Sequence, residues 1–222
     1  MCFSAGASFT SSAVLTVFGA ATLKKVHKPS QLIFAGIPLF FACQQFTEGV
    51  LWAAMPHPAY AGLQKAATAA FVIMARIIWP LLIPVSVFLL EKSKVRKHVL
   101  LALLACGSAA ALYYLYSFVV YPVHAEILGR HITYLSAARE PFGTEALLLY
   151  LTATLAPLFV SSIKRTSILG IVMFLSFLVS VVFYTQCLTS VWCFFAAAIS
   201  FGIFYIIRDS HSQFHVERAG RG

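Results

Sequence analysis

Residues 66–90 read AATAAFVIMARIIWPLLIPVSVFLL, 25 residues in which Arg76 is the one charged side chain. A helix that crosses a bilayer needs about 20 mainly apolar residues, and this stretch exceeds that. Six further stretches qualify, 8–23, 31–54, 98–120, 144–163, 167–186 and 188–207, which makes seven. The first is the weakest, diluted by Ser8, Thr10, Ser11, Ser12 and Thr16, yet it stops at Lys24-Lys25 as a helix leaving a bilayer does. Gln186 to Ser190 leaves room for a tight turn between the last two. The expectation is an all-α polytopic membrane protein, about seven transmembrane helices in one bundle over 1–208, followed by a polar cytoplasmic tail at 209–222.

Composition agrees. Of 222 residues, 60% are hydrophobic and 10% charged, against about 25% charged in a soluble domain. So little charge cannot cover a globular surface, which excludes a soluble enzyme, a disordered chain and a nucleic-acid binder. The bilayer is the expected partner. The net charge of +9 then reports topology. Lys24, Lys25, Lys28, Lys92, Lys94, Arg96, Lys97, Lys164, Arg165, Arg208, Arg218 and Arg221 fall in one set of loops, and Lys65, Arg130 and Arg139 in the other. Twelve against three orients the chain N-out and C-in. No basic n-region precedes the first span, so no cleavable signal is expected, and Cys2 has no lipobox before it.

Ionisable groups in a bilayer are costly and are functional candidates. Glu48 and Arg76 are the two. At about 1.5 Å per residue, Gln44 and Arg76 each lie roughly 20 Å from the inner side. Arg76 is therefore placed to pair with Glu48 or to donate to Gln44 or Gln45. Gln45, Glu48 and Trp52 fall at i, i+3 and i+7, on one helical face. That stripe cannot face lipid, and Gly49 beside it lets a second helix approach closely. Glu145, Tyr150, Thr152, Tyr184, Gln186, Cys187 and Cys193 add polar groups to the outer halves, while the inner halves are more uniformly apolar. The asymmetry points to a polar cavity opening outward. Trp79-Pro80 and Pro84 kink the third span just below Arg76.

The outer connection from Tyr121 to Gly143 holds His124, Glu126 and His131, two imidazoles and a carboxylate fit for zinc or iron, although no standard metal spacing is present. His57, between Pro56 and Pro58, reads as a turn residue; His27, His98, His211 and His215 read as cytoplasmic surface groups. With Met1 removed, Cys2 would carry a thiol beside its own α-amine, the pairing of an N-terminal nucleophile; with Met1 retained it is a metal ligand. Cys2, Cys187 and Cys193 share the outer side, where an exterior permits a disulfide between two of them. Cys43 and Cys106 read as small apolar groups within spans.

The opening Met-Cys-Phe-Ser-Ala-Gly-Ala-Ser-Phe, Gln44-Gln45 with Glu48-Gly49 and Trp52, and Trp79-Pro80 together resemble a family of uncharacterised bacterial seven-span membrane proteins. The resemblance implies a bacterial inner-membrane location and no particular activity. The last span has no lysine for a retinal Schiff base, and the Asp and multiple-His pattern of ceramidase-like hydrolases is missing.

Three functions remain. The first is a membrane enzyme or redox protein using a metal or thiol, with Cys2, Glu48, Arg76 and His131 catalytic, Gln44, Gln45 and Trp52 holding the ligand, and His124, Glu126 and His131 binding the metal. The second is a small-solute or proton-coupled transporter or sensor built on Glu48 and Arg76. The third is a structural partner in a membrane complex. Neither the small-molecule or lipid ligand nor the oligomeric state can be read from the residues.

Overall fold

A computed structural model describes residues 4–136, 143–184 and 187–209, apart from the side chain of Ala198. Its helices are α1 (Ala5–Leu23), α2 (Leu32–Ala54), α3 (Ala61–Val72), α4 (Trp79–Leu90), α5 (Lys94–Val120), α6 (Gly143–Val160), α7 (Lys164–Phe183) and α8 (Leu188–Ile199). A π-helical turn, Ile73–Ile78, fuses α3 and α4 into one rod, and α8 breaks at Ser200 and resumes over 201–209. Polar residues set the starts. The Ser4 hydroxyl accepts from the Ala7 N–H at 3.2 Å and caps α1. Pro29 and Pro58 begin short 3-10 turns ahead of α2 and α3.

Six rods, Ala5–Leu23, Pro58–Leu90, Lys94–Val120, Gly143–Val160, Lys164–Phe183 and Leu188–Asp209, are long and apolar enough to cross a membrane. Helix α2, at 23 residues, is long enough, but Gln44, Gln45 and Glu48 dilute it. It can carry them because it is the central rod. More than half of its residues are buried, and α1, α3, α4 and α8 all contact it. The exposed faces of α5 and α7 are apolar, with Leu112, Val119, Val182 and Phe183 each more than 60% exposed.

Short connections make successive rods antiparallel and give the bundle two unlike ends. One collects Lys24, Lys25, Lys28, Lys92, Lys94, Lys97, Lys164 and Arg165, with Arg165 paired to Asp209 at 3.2 Å. The other carries a β-hairpin. The connection treated above as a loop is two antiparallel strands, β1 (Val123–Leu128) and β2 (His131–Ser136), in register from Val123↔Ser136 to Leu128↔His131. Gly129, at φ +63°, makes the two-residue turn with Arg130, a conformation that suits glycine. One face of the hairpin, through Val123, Ala125, Ile132 and Tyr134, packs on Leu51, Phe71 and Val72. Tyr134 stacks on Phe71 with ring centroids 4.6 Å apart.

Two prolines shape the third rod. Residue 80 should donate to the Arg76 carbonyl in α register, or to Ala75 in π register; Pro80 has no N–H and serves neither. The Tyr150 hydroxyl of α6 donates to the Ala75 carbonyl instead, at 2.8 Å. Pro84 likewise leaves the Pro80 carbonyl without its helical donor, and Gly107 of α5 lies directly against that oxygen. A Cβ at position 107 would collide with it.

At the basic end, Glu91 is 3% exposed. Its carboxylate accepts from the N–H groups of Lys92 (2.8 Å), Ser93 (2.9 Å) and Ser162 (2.7 Å) and from the Ser162 hydroxyl (3.0 Å). This latches the end of α4 to the α6–α7 turn. Burial alone would raise the Glu91 pKa; the bonds from Ser93, Ser162 and Lys92 outweigh it and hold the group below the ordinary glutamate range.

Two outcomes follow for stability in detergent. Gly107→Ala should lose about 3 kcal/mol or more by overpacking against backbone, read as a fall in the thermal midpoint, while Ala→Gly at the exposed Ala109 of the same helix should lose only about 1 kcal/mol, the difference in helix propensity. Glu91→Gln should cost about 2 kcal/mol at neutral pH, the scale of hydrogen bonds to a charged group. Because the folded pKa is depressed, this stabilisation is present above the unfolded carboxylate pKa of about 4.3 and is lost as pH falls through the folded value. Wild type and Glu91→Gln should therefore converge in acid; curves that stay parallel down to pH 3 would exclude an ionised latch.

Candidate functional site

The polar stripe of α2 is fully buried: Gln44, Gln45 and Glu48 are all 0% exposed. Gln44 Oε1 accepts from the Trp79 indole N–H at 2.8 Å, and that indole is held by Phe41, stacked at 4.1 Å, and by Phe40, edge-on at 5.0 Å. Glu48 Oε1 accepts from the Ser190 hydroxyl of α8 at 2.6 Å. Both amide atoms of Gln45 and the Trp52 indole N–H have no hydrogen-bond partner among the described residues. The close helix approach expected at Gly49 is made by Phe9 of α1, whose ring lies over it.

Arg76 reaches α5 from the π turn. It is half-buried, with its guanidinium carbon 5.8 Å from the centroid of the Tyr114 ring on α5. It lines a cavity of about 560 Å³ that reaches the hairpin end at Ser136, Gly143 and Leu188. Ala75, Tyr114, Tyr134, Tyr150, Phe177, Thr189, Trp192 and Cys193 complete most of the wall. Arg76 is the one charged side chain among these lining residues. An aromatic partition closes the floor, with Trp192 5.9 Å from Tyr150 and 5.1 Å from Phe177, centroid to centroid. The Trp192 indole N–H is buried and has no partner among the described residues.

The proposed metal set does not assemble. His124 and Glu126, at i and i+2 on β1, make a 3.4 Å pair with both side chains more than half exposed. His131 instead lies edge-on to Tyr184, 5.2 Å between centroids. Desolvation there holds its imidazole below the ordinary histidine pKa. No group of three His, Cys, Asp or Glu side chains among the described residues is arranged to hold a metal. The reason is the hairpin. It carries His124 and Glu126 outboard while it presses His131 inward against the end of α7. Among the described residues, His124, Glu126 and His131 thus do not form the site for zinc or iron expected of them.

Cys2 lies outside the described residues, as does Gln186. Cys187 and Cys193 are buried free thiols, so no disulfide joins them; Cys187 Sγ lies 3.5 Å from the Thr133 hydroxyl, tying the start of α8 to the hairpin. The Cys187 N–H bonds the Tyr184 carbonyl at 2.9 Å, and α8 already begins at Leu188, inside the stretch Gln186 to Ser190 expected to turn. Cys43 is exposed on α2 rather than packed. Glu145 and Thr152 face outward, away from Tyr150.

The sequence reading missed Tyr114, Tyr134, Ser190 and Trp192. Ser190 and Trp192 had a signal: they sit in the first two turns of an apolar span, where a hydroxyl and an indole N–H each need a partner. Tyr134 was hidden with the hairpin.

Fold and site define a helical bundle of apolar rods with a cavity toward one end, in whose wall Arg76 is the one charged side chain among the described residues. The chain belongs to the family of unknown function DUF6629, whose sequence model matches residues 1–218, in line with the uncharacterised family its opening resembles. No curated protein and no solved structure matches it.

The Gln44–Trp79 bond can be tested by a double-mutant cycle. Gln44→Leu leaves a buried indole N–H without its acceptor and should cost about 1–3 kcal/mol. Trp79→Phe in the same background should cost less than it does alone, giving a coupling above about 0.5 kcal/mol. Strict additivity in the melting data would mean that the bond contributes nothing to stability.

Proposed function

We propose that the protein is a seven-span receptor or sensor of the bacterial inner membrane that binds a small anion at its outer end. The hairpin end faces outside and the basic end faces the cytoplasm, which the twelve-to-three distribution of Lys and Arg supports. The exposed apolar faces of α5 and α7 support a lipid surround.

The observation that carries the reading is the cavity of about 560 Å³ with Arg76 as its one charged wall residue among those described. A guanidinium in a partly desolvated wall favours an anion, because charge-assisted bonds to carboxylate or phosphate strengthen as water is excluded. Its planar fork also matches those groups in two-point contact. Tyr114, Thr189 and Tyr134 supply hydroxyls at the same wall. A receptor is favoured over a carrier because the inner parts of the bundle offer a packed apolar core rather than a polar path. Phe34, Ile37, Leu158, Ile203 and Ile207 are all buried there. Glu48 and Ser190, fully buried and bonded to each other, serve as the staple between α2 and α8.

Calorimetry and thermal melts of the purified protein with acetate, butyrate, phosphate and methanesulfonate test this. At least one anion should raise the melting temperature, by an amount that grows with the logarithm of its concentration once that exceeds Kd. Arg76→Gln should weaken that binding by tenfold or more, about 1.4 kcal/mol, and Arg76→Lys should retain part of it. Equal binding by wild type and Arg76→Gln would sink the reading.

A further inference from the structure

The buried Glu91 carboxylate gathers two turns of the chain at the basic end. It takes the N–H groups of Lys92 and Ser93 and, at 2.7 Å, that of Ser162, so the α4–α5 turn is drawn against the α6–α7 turn. The starts of α5 and α7 therefore meet at one corner. What they bring there is one sign of charge. Lys92, Lys94, Arg96 and Lys97 come with α5, and Lys164 and Arg165 with α7. Neither helix has an acidic residue in its first turn, so the positive ends of their dipoles add to these charges instead of offsetting them.

The acids of that end are already committed. Among the described residues they are Glu91 and Asp209. Glu91 spends its oxygens on the three N–H groups and the Ser162 hydroxyl, and Asp209 pairs with Arg165. Lys97 has the Phe88 ring, 5.0 Å from its ammonium nitrogen. Lys92, Lys94, Arg96 and Lys164 are exposed and have no acidic partner among the described residues. Within two turns, both helices become apolar on their outer surface. Val95 and Val99 of α5 are 74% and 44% exposed, and Ile168 and Ile171 of α7 are 62% and 50% exposed. Helical side chains lean toward the N-terminus, so the cations reach past the helix ends while the apolar groups lie along the rods.

We infer that this corner is the site of an anionic phospholipid of the inner leaflet. Its phosphate sits between Lys92, Lys94 and Lys164, and its acyl chains run along Val95 and Val99 and along Ile168 and Ile171. The inference is independent of the outer cavity and rests on the membrane-spanning reading of the rods. The order of charge and hydrocarbon carries it. A soluble phosphate or an acidic peptide would meet the cations and leave the apolar rows bare. A zwitterionic lipid would cover the rows and bring no net charge to the cations. Clusters of Lys and Arg beside membrane helices attract anionic headgroups, and a phosphate here relieves the repulsion between two basic helix starts that Glu91 holds together.

The test is native mass spectrometry of the full chain in detergent, titrated with phosphatidylglycerol or with phosphatidylcholine of the same acyl chains. Phosphatidylglycerol should be retained about tenfold more tightly or better, and it should raise the thermal midpoint where phosphatidylcholine does not. Lys92→Gln with Lys164→Gln should weaken its retention by about tenfold or more. Lys24→Gln with Lys25→Gln removes equal charge from another turn of the same end and should weaken it by less than about threefold, since distant charges are screened. Lys92→Arg with Lys164→Arg should keep the binding, and Val95→Ser with Ile168→Ser should weaken it with every cation in place. All these positions are exposed, and circular dichroism confirms that each variant is folded. Inorganic phosphate at the same concentration should not displace the lipid. Equal losses from the two Lys→Gln pairs would overturn the corner in favour of diffuse charge. Displacement by phosphate would overturn the lipid in favour of a soluble anion. Equal retention of both lipids would overturn the role of the cations. Each of these failures leaves the outer cavity standing, because that reading is tested with soluble anions and Arg76→Gln.

Discussion

Proline has no N–H to give, and in this bundle the two carbonyls opposite Pro80 and Pro84 organise what surrounds them. An unpaired carbonyl within an apolar interior costs a few kcal/mol, so each must find a donor or a close neighbour outside its own helix. Ala75 takes the Tyr150 hydroxyl and so fixes α6 against the third rod. Pro80 takes the closest approach that a neighbouring helix can make, and Gly107 supplies it. The same region turns π-helical. In an α-helix, residues 76 and 79 lie about 60° apart, on one face. A π turn opens that angle. Arg76 goes to Tyr114 on α5 while Trp79 goes to Gln44 on α2.

A helix with a row of amides and a carboxylate can lie in an apolar bundle only at its centre, with partners on several neighbours. That requirement explains why α2, which carries Gln44, Gln45 and Glu48, is more than half buried. Gln44 draws in the third rod through Trp79, and Glu48 draws in α8 through Ser190. Ser12 of α1 returns the favour to the backbone, donating to the Ala42 carbonyl at 2.8 Å. Such bonds add modest net stability, but they fix register, because a slipped helix would bury each of these groups without a partner. Register is what holds the cavity wall in place, since Trp192 follows Ser190 by two residues on the same helix.

How much of this was legible in the sequence depended on the length of the pattern. Seven long apolar runs and a lopsided distribution of Lys and Arg are signals spread over the whole chain, and the helical rods follow them closely. The burial of Gln44, Gln45 and Glu48 was legible because no other location tolerates them. The hairpin was legible too, in the alternation Val123, Ala125, Ile127 and Ile132, Tyr134 around Gly129-Arg130, but two strands of six residues are a short signal beside spans of 20. Missing it produced the metal set: His124, Glu126 and His131 are neighbours along a loop, yet a hairpin sends them to different surroundings. Sequence depth put Arg76 level with the α2 stripe; its approach to Tyr114 on α5 comes with the π turn, which no pattern of apolar residues announces.

The placement of the charge matters more than its presence. A guanidinium buried in the packed inner core would pay a desolvation cost of several kcal/mol. At the wall of a cavity that reaches the hairpin end, Arg76 stays half-buried and lies beside the Tyr114 ring. The residues nearer the basic end, Phe34, Ile37, Leu158, Ile203 and Ile207, then close the bundle with no charge among them. The π turn makes this division possible, because it sends Arg76 toward α5 while Trp79 stays on the polar stripe of α2.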